Sequence, residues 1–164
     1  MSNAALVDTS FLISLVNKNR PCHEVAKHYY KYCLENQITL LLPTVVVAEF
    51  AIKQSPDDLP LRNFQVLPFV YRDAKRCADL NVSYYRTKLG STGQRDAVKD
   101  DFKIIAQAEE LKAKYLLTED ENTLKHYYDQ LRSDNKIGFS LISIQQGFDV
   151  ALINGTGQGE LSLG

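Results

Sequence analysis

The sequence predicts an α/β fold, a three-layer arrangement with a central, mostly parallel sheet of about five strands and helices on both faces. Three observations carry this. Short apolar runs alternate with longer stretches of helical period. Strands separated by helices need crossover connections, which belong to parallel pairing. The length, 164 residues, suits one domain able to bury a core without disulfide or metal staples.

In chain order, Ala4–Val7 is a short strand ending in Asp8-Thr9-Ser10, a polar triplet suited to starting a helix. Phe11–Val16 and Cys22–Glu35 have helical period, with Pro21 marking the break between them. Ile38–Leu42 is a second strand, stopped by Pro43, and Thr44–Lys53 a helix with Thr44 as its expected cap. Phe64–Leu67 is a third strand, 70–86 a single helix, and Thr87–Gln94, with Gly90 and Gly93, a loop. Helix returns over 96–113, Tyr115–Thr118 is the fourth strand, 122–132 a helix and Phe139–Ile144 the fifth strand. Residues 1–146 form the expected domain. Residues 147–164 form a C-terminal tail without clear period, with a short strand at Leu161–Leu163 as its one regular element.

Nineteen Lys and Arg against 20 Asp and Glu leave a formal charge of -1, so no global basic field draws in nucleic acid. A nucleic-acid partner must be held by a local patch or through metal ions. Cys22, Cys33 and Cys77 are odd in number and lack C-x-x-C spacing, which excludes a zinc knuckle and a disulfide scaffold. The first residues lack the basic and long apolar regions of a signal peptide, and the longest apolar stretch, Ile38–Ala48, is broken by Pro43 and too short for a membrane span. The expectation is a reduced, soluble, cytoplasmic protein with no membrane partner, in which the sequons at Asn81 and Asn154 carry no meaning.

Four acids stand out. Asp8 ends the first strand, where a helix cap is the plain alternative to chemistry. Glu49 has Val45, Val46 and Ile52 as its helical neighbours, so it points along an apolar stripe. Asp101 shares the core-facing stripe of Ile104, Ile105 and Ala108, whereas Asp100 aligns with Lys103 and Gln107 on what reads as a solvated helix start. Asp120, flanked by Glu119 and Glu121, follows the fourth strand and also suits a cap. All four lie after strands or on the helices those strands feed, the ligand-binding edge of a parallel sheet. Two unit charges ~5 Å apart repel by roughly 3 kcal/mol at an effective dielectric of 20. Such a group is either partly protonated or neutralised by a hard cation, Mg²⁺ or Mn²⁺.

With these residues in place the sequence resembles the PIN-domain ribonucleases, a family that includes toxins of bacterial toxin–antitoxin pairs. The matching pieces are Val7-Asp-Thr-Ser-Phe-Leu-Ile13, Val45-Val-Val-Ala-Glu-Phe50, Asp101-Phe-Lys-Ile-Ile-Ala-Gln-Ala108 and Leu116-Leu-Thr-Glu-Asp120, in the family's order over about residues 4–145. The resemblance implies a PIN-like sandwich and a metal-dependent endoribonuclease acting on single-stranded or structured RNA, with Asp8, Glu49, Asp101 and Asp120 as catalytic, metal-holding acids. It further implies that Ser10 and Thr118 orient those carboxylates, that one or two Mg²⁺ or Mn²⁺ ions are used, and that cutting leaves a 5′-phosphate and a 3′-hydroxyl. An antitoxin protein and a homodimer are the partners it implies. The tail beyond about residue 146 extends past the compact form of the small toxins.

Arg86, Lys88, Arg95 and Lys99, around the Gly90/Gly93 loop, are candidates for RNA phosphate contacts. His23, His28 and His126 lack metal-pair spacing, and Tyr29, Tyr30 and Tyr32 sit among helical residues suited to a core or subunit interface. Gly155–Gly159 opens no helix and is no dinucleotide site, Gly90-Ser-Thr-Gly93 is no P-loop, and G-x-S-x-G is absent. Two other readings compete: a non-catalytic PIN-fold module binding protein or RNA, and an α/β phosphoryl-transfer or receiver-like domain. Against the latter, Asp8-Thr-Ser10 lacks the Asp-x-Asp of dehalogenase-type phosphatases.

Overall fold

The computed structural model describes residues 2–90 and 95–155, with the side chains of 95–98 outside the described set. Its sheet consists of β1 (Ser2–Val7), β2 (Thr39–Pro43), β3 (Gln65–Leu67), β4 (Ala113–Thr118) and β5 (Ser140–Ser143), all parallel in the order β3-β2-β1-β4-β5. Parallel pairing throughout requires cover on both faces, and Ala4–Val7, Leu40–Pro43 and Tyr115–Thr118 are accordingly buried without alternation. Chain order runs outward from β1 to β3 on one side and from β4 to β5 on the other. The switch point lies between the carboxyl ends of β1 and β4.

The helices are α1 (Thr9–Val16), α2 (His23–Glu35), α3 (Thr44–Ala51), α4 (Tyr71–Asp79), α5 (Val82–Leu89), α6 (Arg95–Glu110), α7 (Leu124–Ser133) and the short α8 (Val150–Ile153). Among the described residues none is long and apolar enough to cross a membrane. Phe11, Leu12, Leu15, Phe102, Ile105, Tyr127 and Leu131 close the core against the sheet.

Four expectations need correction. The helix read over 70–86 is two helices, because Asn81 takes a left-handed conformation (φ 55°) and its side chain accepts the Tyr84 N–H at 3.3 Å, starting α5. Thr87–Leu89 belong to α5 rather than to the loop, of which 91–94 lie outside the described residues. Thr44 does not cap α3; Pro43 occupies that position, and Thr44 Oγ1 accepts the Phe69 N–H at 3.3 Å. Gln107 is buried, not solvated, and donates to the Pro68 carbonyl at 3.0 Å, while its expected neighbours Asp100 and Lys103 are half-buried and pair at 2.9 Å.

Residues 147–155 fold back onto α2. Gly147 turns with φ 87°, a conformation open to glycine, and Phe148 then packs edge-on against Tyr29 at 4.8 Å. The Tyr29 hydroxyl donates to the Gly147 carbonyl and accepts the Asp149 N–H, both at 3.1 Å, and Ile153 enters the core. The strand expected at Leu161–Leu163 lies outside the described residues. Tyr29→Phe removes both bonds and leaves the Asp149 N–H without its partner, so urea denaturation is expected to show a loss of about 1–3 kcal/mol. A loss below ~0.5 kcal/mol would mean the tail does not depend on this hydroxyl.

Candidate active site

The site begins with where β1 and β4 end. Leu6 and Val7 pair with Leu116 and Leu117, and the Asp8 N–H donates to the Leu117 carbonyl at 3.3 Å, which sets Asp8 beside Thr118. The Asp8 carboxylate is buried. Its Oδ1 accepts the Phe11 N–H at 2.8 Å as the cap of α1, and also the Ser10 hydroxyl at 2.8 Å. Its Oδ2 accepts the Thr118 hydroxyl at 2.5 Å. Each hydroxyl in turn accepts a backbone N–H from the β4–α7 turn: Glu119 on Ser10 at 2.8 Å and Asp120 on Thr118 at 2.9 Å. Burial pushes the Asp8 carboxyl up to about 7; the bonds from Thr118, Phe11 and Ser10 pull it back, and the charge of Asp120 adds to the rise.

Three further acids approach from other elements. α3 presents a half-buried Glu49, whose Oε2 accepts the Thr9 hydroxyl at 2.6 Å. α6 presents Asp101, whose Oδ2 is closed to solvent and has no hydrogen-bond partner. Burial pushes Asp101 up to about 9, reinforced by the charges of Asp120, Asp8, Glu49 and Asp100 in that order. Asp120 accepts the Asn122 and Thr123 N–H groups at 3.0 and 2.8 Å, so it caps the turn before α7 as well as facing the acids. The fold thus brings Asp8, Glu49, Asp101 and Asp120 into one electrostatic group.

Glu49 and Asp120 line a cleft of about 450 Å³ with Thr9, Ser10, Glu119 and Gln145, and with Arg20 and Lys53 as its cations; the more deeply set Asp8 and Asp101 are not among its lining residues. A larger groove, about 770 Å³, lies between α2 and the Pro60–Asn63 segment. Its one carboxylate is Glu24, so the acid chemistry belongs to the smaller cleft. Among the described residues no three Asp, Glu, His or Cys side chains converge as a ready-made cation site. The donor set still suits a hard cation: it is all carboxylate, mutually repelling, and one buried oxygen is unpartnered.

Of the cationic candidates, Lys88 pairs with Asp134 at 3.8 Å and lies over the Tyr84 ring at 5.6 Å, while Lys99 is exposed; neither lines the cleft. Arg86 does not line the cleft either; its charge acts on the buried Tyr127 hydroxyl, against that of Asp101. The Arg95 side chain lies outside the described residues. His23 Nδ1 lies 2.9 Å from the Ser14 carbonyl, and His28 and Tyr32 pack on Phe148. All three cysteines are free thiols.

Sequence reasoning did not single out Thr9, Arg20, Glu119 or Gln145. Arg20 Nη2 donates to Glu119 Oε1 at 3.0 Å, and Gln145 Nε2 to the Glu119 carbonyl at 2.5 Å. These pairs span long stretches of chain and have no local signature. Thr9 was the exception in principle, since a second polar residue beside Ser10 at a strand end marks a place for a hydroxyl donor.

A family model described as PIN domain matches residues 5–130. No curated protein matches the chain. Among solved structures, VapBC2 of Rickettsia felis, bound to a DNA fragment from its promoter, superposes with a TM-score of 0.59 at 13% identity, covering 85% of this chain and 98% of that one. DNA-bound VapBC of Salmonella typhimurium superposes with a TM-score of 0.52 at 13% identity, covering 88% and 99%.

Both raised carboxyls hold protons in the folded chain that the unfolded chain releases at its ordinary value of 3.8. Their contribution to stability is therefore complete below about pH 4 and is lost as pH rises through about 7 for Asp8 and about 9 for Asp101. The melting temperature of the metal-free protein is expected to fall from pH 5 to pH 9. In Asp101→Asn, whose amide never ionises, the fall is smaller and the protein melts higher at pH 9. A steeper fall in the variant would contradict the repulsion described here.

Proposed function

This chain belongs to the PIN domain family, and on that premise we propose that it is an Mg²⁺- or Mn²⁺-dependent endoribonuclease hydrolysing phosphodiester bonds of single-stranded or structured RNA. The observation that carries the reading is the buried, unpartnered Oδ2 of Asp101 amid the charges of four other carboxylates. Leaving such an oxygen unsatisfied is costly, and stability alone would favour asparagine or an apolar residue there.

Asp8, Glu49, Asp101 and Asp120 would hold the cation. The chemistry it supplies when bound is activation of a water molecule and polarisation of the scissile phosphate. The rest falls to the chain itself. Thr9 orients Glu49, Ser10 and Thr118 fix both oxygens of Asp8, and the turn before α7 holds Asp120 by its own backbone. Arg20 and Lys53 offset the negative cleft wall where a phosphate enters.

The setting we propose is the toxin half of a toxin–antitoxin pair, cytoplasmic and homodimeric, with an antitoxin protein as partner. Its support is the family and the likeness of fold to the two VapBC structures.

The test is cleavage of an end-labelled, mixed-sequence single-stranded RNA in EDTA, Mg²⁺ or Mn²⁺ by wild type and Asp101→Asn. Cutting is expected with either metal, not in EDTA, and not in the variant. Cutting that persists in EDTA or in the variant would sink the metal-nuclease reading; no cutting and no rise in melting temperature with Mn²⁺ would favour a non-catalytic binding module. Thr9→Val, which deprives Glu49 of its donor, is expected to lower the rate about 10–100-fold with the fold intact by circular dichroism.

A further inference from the structure

We infer that Arg20 grips a phosphate of the polynucleotide in the acidic cleft, with Glu119 holding the guanidinium in place; the inference rests on the ribonuclease reading above. Arg20 lies on the α1–α2 connection, and its backbone is fixed at both ends: its N–H donates to the Asn17 carbonyl and its carbonyl accepts the His23 N–H, each at 3.1 Å. Its side chain, 41% exposed, lines the cleft that holds Glu49 and Asp120. Among the described residues its one side-chain hydrogen bond is the 3.0 Å contact of Nη2 with Glu119. A guanidinium carries five N–H donors in a rigid fork, so most of that fork is left for another acceptor. A phosphate matches it in shape and charge.

Glu119 is the less ordinary member of the pair. Only 12% of its side chain is exposed, and it is anchored at every polar group: the Ser14 hydroxyl on Oε2, Arg20 on Oε1, the backbone N–H on Ser10 and the carbonyl under Gln145. An ion pair whose guanidinium is open to water stabilises a fold by about 1 kcal/mol or less, a weak reason to hold a carboxylate so firmly in a cleft it shares with Glu49 and Asp120. Its position supplies a better one. Glu119 directly precedes Asp120, and Ser10, which fixes Asp8, also fixes the Glu119 backbone. One turn therefore sets the guanidinium at a defined place relative to the site acids. Lys53, the other cation of the cleft, is exposed and has no anchor among the described residues.

The test compares Arg20→Ala, Arg20→Lys, Glu119→Gln and the distant control Lys31→Ala. Steady-state cleavage gives KM and kcat. Fluorescence anisotropy with labelled single-stranded RNA, in the Asp101→Asn background, gives affinity at several salt concentrations. Arg20→Ala is expected to raise KM and Kd about tenfold or more, with a smaller change in kcat. It should also take about 0.7 from the slope of log affinity against log salt, the loss of one phosphate contact. Arg20→Lys should keep the slope and recover part of the affinity, which also carries the test where the alanine variant folds poorly. Glu119→Gln should alter KM in wild type but not in Arg20→Ala, because it acts through that side chain. Unchanged KM and slope in Arg20→Ala, with wild type cutting RNA, would overturn this inference and leave the ribonuclease reading standing. A wild type that neither cuts nor binds RNA would overturn both.

Discussion

The structure depends on one buried carboxylate. Asp8 sits where β1 ends, and its bonds do three jobs at once. The Phe11 N–H on Oδ1 starts α1; the Thr118 hydroxyl on Oδ2 ties β1 to β4 beyond their last ladder bond; the Ser10 hydroxyl joins helix to turn. Burial pushes this carboxyl up to about 7, so the hydrogen bonds only partly offset desolvation. Each hydroxyl that serves Asp8 also accepts a backbone N–H of the Glu119–Asp120 turn, so the carboxylate's surroundings and the turn's geometry cannot be set separately. Losing Thr118 would unseat Asp120 as surely as Asp8.

The four acids are not equivalent. Asp8 has donors on both oxygens, Glu49 has Thr9, and Asp120 has two backbone N–H groups. Asp101 alone among them keeps a buried oxygen without any donor, and its carboxyl is the one pushed furthest up. The protein has thus oriented three carboxylates with its own hydrogen bonds and left one oxygen of the fourth without any. That asymmetry separates the group from a chance patch of surface acids, whose members would each find water or a lysine, as Asp100 finds Lys103.

The same physics decides what could be read in advance. An acid on an apolar helical stripe is visible in one dimension, because i+3, i+4 and i+7 neighbours lie on one face. That holds for Asp101, whose Ile104, Ile105 and Ala108 are buried. The stripe expected for Glu49 fails at Ile52, which is 83% exposed past the end of α3, and only Val46 of its named neighbours is fully buried. An acid at a strand end is visible because strands and helices alternate, which exposed Asp8 and Asp120. The order of apolar runs likewise announced the sheet, and its all-parallel pairing follows from the crossovers. What did not show were relations across the fold. Thr9 with Glu49 and Arg20 with Glu119 join segments whose contact only the sheet order creates. The break at Asn81 was hidden for another reason: a left-handed asparagine inside a run of helix formers leaves the periodicity on either side almost intact. Gln107 misled because an amide reads as polar, whereas the fold gives its NH₂ a carbonyl at Pro68.

Charge joins these points into a requirement on any polynucleotide that enters. The chain carries a net charge of -1, so nothing at long range favours a polyanion, and the cleft wall itself bears Glu49, Glu119 and Asp120. Attraction must be local and must act at the acids rather than around them. On the function proposed above, a cation among the carboxylates would reverse the sign of the cleft at the scissile phosphate, and the Arg20 guanidinium would supply a second positive point beside it. Two such points would define a direction, which one does not: a strand bound by the metal alone could pivot, while one also held at Arg20 would present one phosphate, in one orientation, to the acids. The anchoring of Glu119 by Ser14 and its own backbone would keep those points at a constant separation, so on this reading substrate register would be set by the turn between β4 and α7.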